Sequence, residues 1–176
     1  RQFSELKGEQ SIQEIGIELN LIAEYLLDES FEQLIKKNEF LTIKDKFILV
    51  ETSMNYDFPF VKDYIFELIK MGYRPILAHP ERYRYIYSEK NYIAKYEEYI
   101  DMGIEFQLNL FSLIGLYGNE TRKVAEELIN QNFYSYACSD LHRVEQINFF
   151  EDVKKSLFLE KLISSGTLKN KELLSG

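Results

Sequence analysis

Polar side chains recur at a regular spacing along the chain, each close to the end of a run of apolar residues. Glu24, Glu51, His79, Gln107 and Asp140 are separated by 27, 28, 28 and 33 residues. Such an interval fits one strand, one helix and the two loops that join them. The spacing therefore predicts repeated βα units, with one polar side chain near the carboxyl end of each strand.

The stretches between these positions show the patterns of strands and amphipathic helices. Strands are predicted within 11–28, where Ile15, Ile17, Leu19 and Leu21 alternate and the strand ends near Glu24, and at 46–50, 74–78, 104–110 and 133–139. Helices are predicted up to Lys37, over 60–69, 92–100 and 124–129, and in one or two pieces at the end of the chain. The stretch 115–118 is interpreted as a turn, because it lacks the Lys-Ser/Thr of a Walker loop.

This order of elements predicts an α/β fold with a parallel sheet. A barrel and a doubly wound sheet both fit the spacing. In either fold the side chains that follow the strands line the ligand site. Five units would form only part of a barrel, since eight units typically need about 250 residues.

The composition indicates a folded, acidic protein. The chain has 176 residues, of which 45% are hydrophobic and 15% aromatic, which is enough for one domain with a sizeable core. The net charge of −8 argues against a nucleic-acid or anionic-membrane partner, because such binding needs a basic surface. No run approaches the roughly 18 apolar residues of a membrane span. The single cysteine, Cys138, is typical of a reducing compartment, so we expect a cytoplasmic protein.

Several of the strand-end residues are of the types that bind divalent metal ions. The chain has two histidines, His79 and His142, and both come shortly after predicted strands. Asp140 precedes His142 by two residues. Mn²⁺, Fe²⁺ and Zn²⁺ accept mixed sets of carboxylate and imidazole ligands. Together with Glu24 and Glu51, these residues form a candidate cluster of five ligands.

Plainer interpretations exist for the same residues. The two glutamates could form salt bridges with Arg82, Arg74 or a nearby lysine, and Asp140 could cap a helix beside a surface histidine. Arg82 could bind a phosphate oxygen bidentately, although a lone arginine is more often structural. Cys138 and Arg143 are separated by four residues rather than the five of the cysteine-dependent tyrosine phosphatase loop. We therefore interpret Cys138 as a core residue.

Five short stretches carry a resemblance to a known family. They are AEYLLD at 23–28, LVETS at 49–53, PILAHPERY at 75–83, FQLNL at 106–110 and SDLH at 139–142. In order and spacing, over about residues 15–160, they resemble the metal-dependent tyrosine phosphatases of bacterial capsule and exopolysaccharide operons. These enzymes belong to the PHP (polymerase and histidinol phosphatase) superfamily. The resemblance implies a distorted (β/α)7 TIM-like barrel, of which this chain would form the C-terminal part.

The resemblance also implies a metal centre at the carboxyl rim of the barrel, with up to three divalent ions, often Mn²⁺. Glu24 would bridge two ions, and Glu51 and His79 would ligate one of them. Asp140 would ligate another ion, and His142 would ligate the third.

The resemblance further implies the reaction and its substrate. Arg82 would act in catalysis by binding the substrate phosphate, and Asn109 and Arg143 complete the expected substrate-binding set. Water would hydrolyse the phosphomonoester without a phosphoenzyme. The expected substrate is a phosphotyrosine protein, namely the Tyr-rich tail of a bacterial tyrosine kinase that controls polysaccharide export. A small phosphate ester such as histidinol phosphate is the second candidate.

The start of the chain departs from the family pattern. The family opens with His-x-His, an acidic residue and a further histidine before the position of Glu24, whereas residues 1–23 contain no histidine and the chain does not begin with Met. We therefore expect 1–176 to be a single domain that lacks its N-terminal βα units and has an incomplete metal set. The full-length parent would be the phosphatase, while this chain would have little or no activity. Exposed sheet edges would favour homo-oligomers. The alternative from another functional class is a non-catalytic interaction module.

Overall fold

The sheet of the protein is parallel and follows the order of the chain. The structure, a computed structural model, describes residues 4, 5, 8, 14 and 19–174. The strands are β1 (Glu24–Leu26), β2 (Phe47–Glu51), β3 (Arg74–Ala78), β4 (Glu105–Asn109) and β5 (Tyr134–Cys138). Each strand pairs in parallel with the next, in the order β1-β2-β3-β4-β5. The predicted α/β fold with five parallel strands is confirmed. A doubly wound sheet needs a reversal of strand order, which these five strands do not have.

Helices connect the strands at the positions that the apolar stripes predict. They are α1 (Phe31–Lys37), α2 (Val61–Lys70), α3 (Arg84–Tyr87), α4 (Tyr92–Asp101), α5 (Asn119–Asn130), α6 (Phe150–Val153), α7 (Leu157–Ser164) and α8 (Asn170–Leu174). The end of the chain forms three helices rather than one or two, because Ser156 takes an extended backbone and Gly166 a left-handed one. Within the described ranges, no helix combines the length and apolar character that crossing a membrane requires.

The first strand is shorter than its sequence pattern predicts. Ile15 and Ile17 lie outside the described residues, and 19–23 have no regular secondary structure. The register, with Glu24 opposite Leu49, would place Ile22 opposite Phe47. Phe47 instead exchanges both backbone hydrogen bonds with Ile43, at 2.8 and 2.9 Å. Because that side of Phe47 is occupied, β1 begins at Glu24 rather than ending there.

The two faces of the sheet differ in what covers them. One face packs against the helices in a large core that includes Ile48, Leu77 and Phe106. The other face carries a small cluster of Phe47, Ile76 and Tyr136. Side chains alternate along a strand, so the register places Glu24, Glu51 and Asn109 on this second face. The polar rim therefore lies on the side of the sheet away from the main core, at or near the carboxyl ends of the strands.

Candidate metal and phosphate site

Two carboxylates and one imidazole meet at the carboxyl rim of the sheet. Glu24, Glu51 and His79 come from β1, β2 and the residue after β3. Each offers a ligand atom, and these atoms lie within 4.8 Å of one another. The Nε2 atom of His79 is 3.2 Å from Oε1 of Glu24 and 3.5 Å from Oε2 of Glu51. Residues 55 positions apart along the chain are thus brought together by parallel pairing of three consecutive strands.

His79 is held in an unusual backbone conformation. Its φ of 35° and ψ of 53° lie in the left-handed region, which costs free energy for a residue with a β-carbon. The surrounding contacts enforce this conformation: the backbone N–H of His79 donates to the carbonyl of Gln107 at 2.8 Å. Behind the imidazole, the buried Tyr83 hydroxyl donates to the carbonyl of Ala78 at 2.7 Å. The turn therefore aims the imidazole at the two glutamates at the expense of local strain.

The electrostatics of this group fit a bound cation. In the described part of the chain, neither Glu24 nor Glu51 forms an ion pair with a lysine or arginine. Burial raises the pKa of Glu51, the charge of Glu24 raises that pKa further, and His79 and Arg82 oppose the rise. Two neighbouring carboxylates without a basic partner are unfavourable unless a cation or a proton compensates them. The donor set of two carboxylates and one imidazole suits a borderline or hard divalent metal ion.

A second polar group stands next to the first and contains Arg82. The Asp140 carboxylate lies 3.4 Å from Nη1 of Arg82 and accepts a hydrogen bond from the Asn109 amide at 3.0 Å. Tyr117 completes the group, since its ring lies 4.2 Å from the Arg82 guanidinium carbon and its hydroxyl accepts from the same Asn109 amide at 3.1 Å. Arg82 is thereby fixed in orientation, with only about a quarter of its side chain exposed.

Of the remaining predicted site residues, His142 lies at the edge of the second group, with its Nδ1 atom 3.3 Å from the Asp140 carboxylate, and Arg143 follows it. His142 is 70% exposed, and its Nδ1 atom is 2.8 Å from the backbone oxygen of Asp140. Arg143 is exposed on the same loop. Asp140 itself, two residues after β5, has a left-handed φ of 49°. The structure therefore brings Glu24, Glu51 and His79 into one candidate metal group and leaves His142 and Arg143 outside it.

The structure tests the plainer interpretations of these residues. Arg82 pairs with Asp140, and Arg74 pairs with Glu105 and Glu172, so neither arginine bridges to Glu24 or Glu51. Burial raises the pKa of the Cys138 thiol to about 12, and the charge of Asp140 adds to the effect. A thiol of that pKa is almost entirely protonated at neutral pH and is a poor nucleophile.

Sequence patterns alone did not point to Glu81 or Tyr117. Glu81 is fully buried beneath the turn that carries His79 and Arg82, and it accepts hydrogen bonds from Ser112, Tyr134 and the Asn109 backbone. Tyr117 lies in a turn at 115–117, as predicted, and its ring also supports Arg82. Two features of the sequence could have indicated them. Glu81 is a carboxylate between His79 and Arg82, and Tyr117 is an aromatic residue between two glycines in the loop after β4.

This chain is similar to known proteins in sequence and in fold. Residues 1–148 match the family described as capsular polysaccharide synthesis, CpsB/CapC. CapC of Staphylococcus aureus is 31% identical over 98% of this chain and 68% of its own length. The tyrosine-protein phosphatase YwqE of Bacillus subtilis is 29% identical over 67% of this chain. This chain spans only 46% of the length of YwqE.

A solved structure shows the same fold. It comes from crystal structures of YwqE from Bacillus subtilis and CpsB from Streptococcus pneumoniae, which are described as unique metal-dependent tyrosine phosphatases. It superimposes on 98% of this chain and 70% of its own with a TM-score of 0.78 and 22% identity. The family match and the CapC relationship agree with this fold. The chain therefore belongs to the CpsB/CapC family of capsular polysaccharide synthesis.

Proposed function

We propose that the protein is a metal-dependent phosphatase that hydrolyses phosphotyrosine in other proteins. One observation carries the proposal: Glu24, Glu51 and His79 converge beside an arginine whose orientation is fixed, and among the described residues neither glutamate pairs with a lysine or arginine. A bound divalent ion next to a guanidinium suits a phosphate monoester, because both positive charges neutralise charge on the phosphoryl oxygens. The names of YwqE and its relatives as tyrosine-protein phosphatases support phosphotyrosine as the substrate.

Each residue of the site has a proposed role. Glu24, Glu51 and His79 would hold a divalent ion, for which we propose Mn²⁺ with Fe²⁺ or Zn²⁺ as alternatives. When bound, the ion supplies Lewis-acid polarisation and activates water. Arg82 would bind the phosphate, and the aromatic ring of Tyr117 keeps its guanidinium in place.

Further roles rest on the family resemblance. Asp140 and His142 would contribute to further ions, up to three in all. Asn109 would orient Asp140, which it contacts at 3.0 Å, and would line the substrate site with Arg143.

The architecture around the site is also part of the proposal. We propose that 1–176 is one domain and forms the C-terminal part of a (β/α)7 barrel of the PHP type. The strictly sequential strand order supports this, because consecutive parallel strands with helices on one face build a barrel wall. Strands β1 and β5 are the edges of the described sheet, so further strands would close it.

The biological setting is proposed from the family. The phosphotyrosine substrate would be the tail of a bacterial tyrosine kinase that controls capsule or exopolysaccharide export, and the protein would act in the cytoplasm. The family description of capsular polysaccharide synthesis supports this setting.

The decisive experiment measures Mn²⁺-dependent phosphate release from a phosphotyrosine peptide, using the protein at its natural length. His79→Asn removes the imidazole yet tolerates the left-handed backbone, because asparagine is enriched in that conformation. We expect a loss of about 100-fold or more, since even residues that only orient a ligand contribute about 10- to 100-fold. Glu51→Gln should behave alike. Glu98→Gln is its matched control, because Glu98 pairs with Lys62 on the surface. Wild-type turnover no higher than that of His79→Asn would refute the proposal.

Two alternatives have their own tests. A phosphatase for small esters of the histidinol phosphate type would show a higher kcat/KM for that ester than for the phosphotyrosine peptide. A non-catalytic interaction module would bind no stoichiometric metal, so metal analysis of the purified 176-residue chain distinguishes it.

A further inference from the structure

A groove leads away from Arg82 along the rim. Its first part is a cavity of about 300 Å³ lined by Met54, Asn55, Arg82, Arg84, Tyr117 and Thr121. A second cavity of about 320 Å³ shares Arg84, Tyr117 and Thr121 with the first. The shared residues make the two cavities neighbours, and we describe them together as one groove that begins at Arg82.

The wall of this groove is positively charged next to Arg82. Arg82 and Arg84 both line the first cavity, and no carboxylate does. Arg84 is exposed, and among the residues that the structure describes it has no ion pair with an acidic side chain. Glu120 lines the second cavity but not the first, and it pairs with Lys123 at 3.0 Å. Arg82 pairs with Asp140, so in the described part of the chain Arg84 is the arginine of this cavity whose charge no ion pair compensates, in a chain with a net charge of −8.

The backbone around Arg84 is well anchored. The N–H of Arg84 donates to the carbonyl of Met54 at 2.7 Å, which ties the start of α3 to the loop after β2. The preceding residue, Tyr83, is fully buried. The backbone from which the Arg84 side chain extends is therefore fixed, two residues beyond Arg82.

We propose that this groove binds the polypeptide that flanks the phosphotyrosine, and that Arg84 selects substrates with acidic residues next to the phosphotyrosine. The inference rests on the proposed function, because it assumes that Arg82 holds the phosphate. Attraction to Arg84 favours a neighbouring glutamate or aspartate. The same charge disfavours a cationic leaving group, such as the amino alcohol of histidinol phosphate.

The test compares two peptides that contain a non-hydrolysable phosphotyrosine analogue. One peptide has two glutamates on each side of the analogue, and the other has two lysines. Affinities are measured by isothermal titration calorimetry with the full-length protein in Mn²⁺ buffer at low salt. A net charge of −8 alone would favour the lysine peptide, so a preference for glutamate requires a local cause.

We expect the wild-type protein to bind the glutamate peptide about threefold to tenfold more tightly, since each exposed charge contact contributes up to about fivefold. Arg84→Gln should reduce this ratio about threefold, and Arg84→Glu should reverse the preference. Higher salt should shrink the ratio. Arg122→Gln is the matched control, because Arg122 pairs with Glu126 on α5 at 2.7 Å. Its ratio should equal that of the wild type. Because the ratio compares two ligands on one protein, a partial loss of folded protein cancels.

Several results would overturn the inference. They are equal affinity of the wild type for both peptides, an unchanged ratio in both Arg84 variants, and no measurable binding of either peptide. Hydrolysis of p-nitrophenyl phosphate by the wild type is measured in parallel, since this ester has no flanking residues. Turnover of this ester without an effect of Arg84 refutes the groove and leaves the phosphatase proposal standing. A glutamate preference that depends on Arg84, without turnover of this ester, refutes the phosphatase proposal and leaves the groove as a binding site.

Discussion

Replacing Glu81 tests how the fold holds the turn that carries His79 and Arg82. The Glu81 side chain is fully buried, and it links this turn to three other parts of the chain. One oxygen accepts from the Asn109 backbone N–H at 3.1 Å and from the Ser112 hydroxyl at 2.7 Å. The other oxygen accepts from the Tyr134 hydroxyl at 3.0 Å.

The magnitude follows from these three donors. In Glu81→Ala, the Asn109 N–H has no other acceptor in place, and a buried unsatisfied donor costs roughly 1–3 kcal/mol. The two hydroxyls can rotate, so each should cost less, and removal of the buried carboxylate returns part of its desolvation free energy. We expect a net loss of about 2 to 4 kcal/mol in the free energy of unfolding. Glu81→Gln keeps an oxygen for Asn109 and Ser112 and turns its NH₂ toward Tyr134. It should therefore lose no more than about 1 kcal/mol.

Urea unfolding followed by circular dichroism measures both variants, and thermal unfolding gives a second reading. A gap of about 2 kcal/mol between the variants corresponds to about 4 to 8 °C in Tm for a chain of this length. Equal losses in the two variants, or a loss below about 1 kcal/mol in Glu81→Ala, would show that the three hydrogen bonds do not hold the turn.

Two further predictions concern opposite ends of the sheet. Glu105 lies at the amino end of β4; burial would raise its pKa, but Lys169 and Arg74 hold that pKa below its ordinary value of 4.5. This stabilisation is present above about pH 4.5 and is lost as pH falls through the lowered pKa. Urea unfolding should therefore find the wild type about 1 kcal/mol more stable than Glu105→Gln at pH 7, with the difference shrinking toward pH 3; a constant difference would contradict this. At the carboxyl end, Arg82→Lys keeps the charge but loses the planar guanidinium that lies 4.2 Å from Tyr117. The kcat/KM for a phosphotyrosine peptide should fall about tenfold or more, through loss of at least one charged hydrogen bond, and an unchanged value would argue against phosphate binding by Arg82.

Most of the fold could be predicted from the local periodicity of apolar residues in the sequence. The stripe of Val61, Ile65 and Leu68 predicts α2 because a helix places these side chains on one face, and all three are buried. The run before His79 predicts β3 because a strand covered on both faces tolerates no charge in its interior. The first strand was predicted too long over 19–23, since the point where it begins depends on the pairing between Ile43 and Phe47 and not on its own alternation.

The sequence by itself determined the order of the βα units and the placement of Glu51, His79 and Asn109 near one rim. These features depend on spacing and on short apolar runs, which are local properties of the chain. Only the tertiary structure decided which rim residues meet. The contact of Asp140 with Arg82 spans 58 residues, and the burial of Glu81 depends on Ser112 and Tyr134. Such contacts depend on strand register and on the backbone angles of the turns, and periodicity records neither.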